Sequence, residues 1–108
     1  MNDMSNILLE FSGKIRHVEG TRDKQHEIFL FAISTCAWCR QALRWLNDNK
    51  FEYSYLFIDD LPLKERQHLK EQLESIYKLP PIFPLLIVDR FHANAGFNPQ
   101  EWELILSI

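Results

Sequence analysis

The feature that most constrains this chain is the apolar run Ile28–Ile33, six residues with no polar interruption. A half-exposed strand alternates apolar with polar residues, so an unbroken run of this length suits a strand buried on both faces. At 108 residues the chain makes one domain, large enough to bury a core without disulfides or metals. Beyond the run the apolar period changes from strand to helix. Cys39, Ala42, Leu43 and Leu46 recur at helical spacing, and Asn47 to Asn49 close that helix. The stretch FEYSYLFID then reads as a second strand, rich in aromatic and β-favouring residues.

A second helix is expected from Leu61 to Tyr77, with Pro62 near its start and Leu69, Leu73 and Ile76 as its buried stripe. A third strand, Pro84 to Val88, carries proline at its first position, where a missing N–H is tolerated. Asp89 and Arg90 make a tight turn into a short fourth strand around Phe91 to Ala93. The last helix is well signalled. Asn98 can cap it, Pro99 fits its first position, Glu101 stands three residues after the cap, and Phe97 and Trp102 are spaced as a hydrophobic staple. From Ile28 to the end the order is βαβαββα, giving a domain over 28–108 preceded by an extension over 1–27. That extension reads either as a hairpin turning at Ser12 and Gly13 or as a short helix from Ser5 to Phe11.

Composition sets the class. With 46% hydrophobic and 25% charged residues the chain is ordinary globular protein. A net charge of −3 without any block of Lys or Arg argues against nucleic acid as a partner. No apolar run is long enough to span a bilayer, and the short run Ile7–Leu9 is no signal peptide, so no membrane partner and a cytoplasmic location are expected.

The only two cysteines, Cys36 and Cys39, stand where the buried strand hands over to the helix. As a structural staple they would do little, because closing a four-residue loop gives only about 2 kcal/mol and the cytoplasm keeps thiols reduced. A structural zinc site takes four ligands; no second CxxC exists, and His17 and His26 lack ligand-like spacing. A cluster shared between two chains, two thiolates from each, stays open. As a reagent the pair is well sited. Unpaired N–H groups and the positive end of the helix dipole meet Cys36 there and favour its thiolate by roughly 1 kcal/mol. Thiolate is the reacting form of cysteine. Cys39 lies in the apolar stripe and should be the more buried sulfur. An exposed attacker beside a protected resolver suits redox use, and CxxC beside a βαβ pattern is its usual context.

TCAWC after a buried strand, FP opening a later strand and AGFN before the last helix together resemble the glutaredoxin family of the thioredoxin-fold superfamily. The likeness covers about three quarters of the chain, from Ile28 onward. It implies a central four-stranded mixed sheet flanked by three helices, with Cys36 as nucleophile and Cys39 as resolving cysteine. It puts Trp38 where the family carries an aromatic beside the nucleophile, a substrate platform or simple packing. Pro84 matches the family's cis-proline facing the cysteines, and Phe83 the residue whose backbone pairs with substrate. Gly96 and Phe97 fall in the family's substrate-binding turn.

Departures from the pattern concern the electron donor. Ile33 stands where glutathione-using members often carry lysine, and Ala95, Gly96, Phe97, Asn98 and Pro99 replace a Gly-Gly pair and its acidic or hydroxyl followers. Glutathione as reductant is thereby in question, and similar proteins draw electrons from a thioredoxin-reductase-type flavoenzyme. The expected activity is reduction of protein or mixed disulfides by a monomer needing no metal or organic cofactor. The rival is a protein that holds or delivers a metal or iron–sulfur cluster on the CxxC pair.

Overall fold

The apolar run becomes β2, Ile28–Ala32, with all five residues buried. In the computed structural model, which describes residues 4–106, β2 is the central strand of a five-stranded mixed sheet. The other strands are β1 Arg16–Val18, β3 Tyr53–Phe57, β4 Leu85–Val88 and β5 His92–Ala95, in the order β1-β3-β2-β4-β5. β2 and β3 are parallel; the remaining pairs are antiparallel.

Side chains alternate across a strand, so β2 feeds two cores. Phe29 and Phe31, with Leu85 and Ile87, pack under α1 (Met4–Glu10) and α3 (Leu63–Tyr77) through Met4, Ile7, Leu69 and Leu73. Ile28, Leu30 and Ala32, with Leu86 and Val88, pack under α2 (Ala37–Asp48) and α4 (Pro99–Ile105) through Cys39, Ala42, Leu46 and Trp102. Burying each large apolar side chain stabilises by about 1.5–3 kcal/mol, so these two layers hold the fold without a cross-link. Among the described residues no helix is long and apolar enough to cross a membrane.

The N-terminal extension differs from the hairpin expectation. It forms α1, a 3-10 turn at Ser12–Lys14, and β1, which pairs with β3 rather than with its own neighbours. Met4, Ile7 and Phe11 are buried, and their spacing is a helical stripe that a hairpin would split between two faces. Of the two alternatives, the helix over Ser5–Phe11 is the nearer to what forms. From Ile28 onward the four strands and three α-helices are those expected, and among the described residues the extension adds a fifth strand, β1, and a fourth α-helix, α1. Gly20 is required here: a Cβ at that position would lie 2.4 Å from the Lys50 carbonyl oxygen. The chain then hydrogen-bonds across, Arg22 N–H donating to that same carbonyl at 3.0 Å.

Smaller differences are local. α3 starts at Leu63, with Pro62 at its cap position. β5 begins at His92, after a turn in which Asp89 and Arg90 take φ of 55° and 70°. Those left-handed conformations are held because the Asp89 carboxylate accepts from Glu27 N–H at 2.9 Å and pairs with His26 Nδ1 at 2.7 Å. α4 starts as expected: Asn98 Oδ1 accepts from Glu101 N–H at 3.2 Å, Pro99 follows, and the Phe97 and Trp102 rings meet edge-on at 5.0 Å.

Candidate active site

Strand register decides what gathers around the cysteines. Ala32 pairs with Phe57 and Phe31 with Leu85, and Leu85 pairs with Ala95. One end of the sheet therefore collects the loop Ile33–Thr35 and Cys36, the segment after β3 with Asp59, the residues Phe83 and Pro84, and the turn at Gly96 and Phe97.

Cys36 is the cap residue of α2, in extended conformation with φ −86° and ψ 124°. Its side chain makes no complete capping hydrogen bond. Partial burial opposes the thiolate, but the Cys39 N–H and thiol, the Trp38 N–H and the Arg40 charge outweigh it and hold the Cys36 thiol below its ordinary value. Cys39 is fully buried. Burial pushes its thiol up to about 12, against the Ile33 N–H that donates to Cys39 Sγ at 3.4 Å; the neighbouring Cys36 and Asp59 add to the rise. The two sulfurs are unbridged and unlike each other. The thiolate is favoured at Cys36 and the thiol at Cys39.

The remaining expected residues fall around this end in different ways. Trp38 is 62% exposed beside Cys36, so simple packing does not account for its position. The Phe83–Pro84 peptide is cis, Pro84 is buried, and its carbonyl accepts from Gly96 N–H at 2.8 Å. Gly96 has φ 84°, a left-handed conformation that suits glycine. Phe83 bridges both cores, and Cys36 flanks one of them. The Phe97 ring is committed to an aromatic cluster with Trp45 and Trp102.

Sequence reasoning missed Asp59 and Ser34. The Asp59 carboxylate accepts from Ser34 N–H at 2.9 Å and from the Ser34 hydroxyl. Burial works against ionisation of Asp59, but these two bonds and the Arg66 charge win and hold its carboxyl below the usual value. The only signals were an acid closing a strand and a hydroxyl residue before CxxC, and nothing local links them. Metal-ligating side chains gather elsewhere. Among the described residues a group of three exists at His17, Glu19 and Glu52, and none includes a cysteine.

Comparison with known proteins agrees with this geometry. The family model for glutaredoxin matches residues 28–92. The crystal structure of a glutaredoxin from Methanosarcina mazei Go1 is similar, at 25% identity and a TM-score of 0.71, over 88% of this chain and 89% of that one. Methanosarcina acetivorans methanoredoxin is similar at 26% identity and a TM-score of 0.66, over 76% of this chain and 85% of that one. A glutaredoxin from Archaeoglobus fulgidus, 23% identical with a TM-score of 0.63 over 79% and 96%, shares the fold. A comparison with curated proteins finds no match. With more than half its length matched by the family model and the CxxC pair at the start of α2, the chain belongs to the glutaredoxin family.

Proposed function

We propose that the protein is a dithiol–disulfide oxidoreductase that reduces protein or mixed disulfides. The asymmetry of the two sulfurs carries this reading: an accessible Cys36 with its thiolate favoured, beside a buried Cys39 with its thiol favoured. Cys36 thiolate attacks one sulfur of the substrate disulfide, forming a mixed disulfide and expelling a substrate thiolate. Cys39 then attacks Cys36 Sγ, and the second substrate thiolate leaves. The protein ends as a Cys36–Cys39 disulfide and needs an external reductant. No metal or organic cofactor enters the exchange. The reading assigns Phe83, Pro84, Gly96 and the exposed face of Trp38 to the substrate, and puts a monomeric protein in a reducing cytoplasm.

For the donor we favour a thioredoxin-reductase-type flavoenzyme over glutathione. Ile33, Ala95, Asn98 and Pro99 offer no charge to glutathione's ionic ends, and Asn98 Oδ1 is already taken by Glu101 N–H. Loss of a charge-assisted contact typically weakens binding by about 1.5–3 kcal/mol, roughly ten- to a hundred-fold. Turnover of a peptide disulfide with each reducing system tests this. Faster reduction with the flavoenzyme is expected; efficient turnover with glutathione and none with the flavoenzyme overturns the donor assignment. Freshly purified protein is expected to be colourless, and visible absorbance from the cysteines would assign the pair to cluster carriage instead.

A further inference from the structure

The peptide units between β2 and α2 touch both cysteines. Ile33 N–H donates to Cys39 Sγ at 3.4 Å, and Ile33 carbonyl accepts from Cys36 N–H at 3.1 Å. The next residue is clasped from outside the loop. Asp59 Oδ1 accepts from Ser34 N–H at 2.9 Å, and Oδ2 accepts from the Ser34 hydroxyl. Asp59 is itself anchored. It lies in the 3-10 turn Ile58–Asp60, where Arg66 of α3 donates to its carbonyl at 3.2 Å and to the Leu61 carbonyl at 2.7 Å. A connected line of hydrogen bonds thus runs from α3 to the Ile33–Ser34 peptide, whose carbonyl takes Cys36 N–H, and Ile33 carries at its other side the N–H that holds Cys39 Sγ.

We propose that Asp59 is a positioning residue for the resolving step: by holding Ser34 it fixes Ile33, whose carbonyl takes Cys36 N–H and whose N–H holds Cys39 Sγ, and so sets the two sulfurs relative to each other. The role rests on the dithiol–disulfide exchange proposed for the pair. After the first exchange Cys36 Sγ is bonded to one substrate sulfur. Cys39 then gives its proton to solvent and its sulfur bonds to Cys36 Sγ; the Cys36–substrate bond breaks, and the substrate sulfur leaves as thiolate. Two electrons have then passed from the dithiol to the substrate disulfide. The first exchange needs only the accessible Cys36. The second uses a sulfur that is 0% exposed and cannot search for its geometry, so whatever fixes Ile33 and Ser34 governs it.

Asp59 has a second, separable effect. The titratable groups acting on Cys39 are Cys36, from the start of the same helix, and Asp59, from the segment after β3. The negative charge of Asp59 opposes the Cys39 thiolate, so removing that charge alone lets Cys39 ionise at lower pH.

The test uses the full chain with a peptide disulfide, following formation and decay of the mixed disulfide by acid quench and mass spectrometry. The variants are Asp59→Ala, Asp59→Asn and Ser34→Ala. Formation should match the parent in all three. Decay should slow about ten-fold or more in Asp59→Ala, the effect of losing a hydrogen bond to a charged group. Asp59→Asn keeps an oxygen for Ser34 N–H, so its decay should stay near the parental rate with a pH midpoint shifted downward. Ser34→Ala keeps the N–H contact and should fall between. Parental decay in Asp59→Ala overturns the role, as does equal slowing of both exchanges. If Asp59→Ala does not fold, Ser34→Ala decides by its decay rate, and parental decay in that variant counts against the role. A parent that forms no mixed disulfide overturns the redox reading and this role together. A parent that forms it while every variant decays normally overturns the role alone.

Discussion

The two ends of the sheet are made from the same strands and are built on different chemistry. At one end β2 runs into Cys36, the cis Phe83–Pro84 peptide and the turn at Gly96, with one carboxylate, Asp59, clasping the loop. At the other end side chains of both signs pair with one another. His17 meets Glu52 at 3.0 Å, Lys24 meets Glu52 at 3.7 Å, Arg90 meets Glu27 at 2.7 Å and His26 meets Asp89 at 2.7 Å. A cavity of about 200 Å³ lies at that second end, lined by residues that include Arg22, His26, Phe51 and Leu106. This cavity and the cysteine pair therefore lie at opposite ends of the sheet. A cavity suits a small molecule, the usual default for a binding site, whereas an exchanging sulfur must meet another sulfur in line at an open surface. Trp38 is exposed beside Cys36, and Cys36 is not among the residues lining that cavity.

The largest effect expected from this contrast is on turnover. Cys36→Ser should abolish disulfide reduction, while His17→Ala at the far end should leave it unchanged. Comparable loss in both, measured with a peptide disulfide and a working reductant, would break the division between the ends. Next in size is the difference between the sulfurs. Limiting alkylation of the reduced protein at neutral pH should label Cys36 well before Cys39, because only the thiolate reacts. Equal labelling would remove the attacker and resolver roles.

The pH dependence of stability sharpens the comparison further. Cys39 holds its proton more tightly when folded, so its contribution is complete below the ordinary thiol value of 9.0 and is lost as pH rises toward about 12. Cys39→Ala should flatten the alkaline fall in melting temperature, but only in part. Tyr53, also pushed up to about 12 by burial, keeps the remainder. Asp89 runs the other way. Glu27 N–H and His26 hold its carboxyl below the ordinary 3.8, so its contribution is present above that value and lost as pH falls through the folded one. Asp89→Asn should therefore flatten the acid limb of the stability profile without touching disulfide exchange. Asp59→Asn should flatten it too, since that carboxyl is also held low, and should in addition lower the pH midpoint of the resolving step. The smallest effect is Asn98→Ala, which removes the cap of α4 and should cost about 1 kcal/mol in thermal melts.

What the chain's own residues determined, without the fold, is whatever depends on spacing within a strand or a helical turn. The run at Ile28–Ala32 specifies a strand buried on both faces because no alternation offers water a side. Asn98, Pro99 and Glu101 specify the start of α4, and Phe97 with Trp102 its staple, since all lie between Phe97 and Trp102, close along the chain. The CxxC pair specifies its own asymmetry, because a helix start favours one thiolate and the apolar stripe buries the other sulfur. Pro84 stands apart: its cis peptide was legible only through the glutaredoxin resemblance, as most X-Pro bonds are trans. Tertiary structure alone decided the rest. β1 found β3 instead of a local hairpin partner, and Gly20 was needed only where the chain crosses the Lys50 backbone. Ser34 met Asp59 across 25 residues and His26 met Asp89 across 63. A hydroxyl, an imidazole or a carboxylate accepts many partners with similar energy, so residue type does not select one. The selection is made by strand register, once burial of the two apolar layers has set which ends of which strands lie side by side.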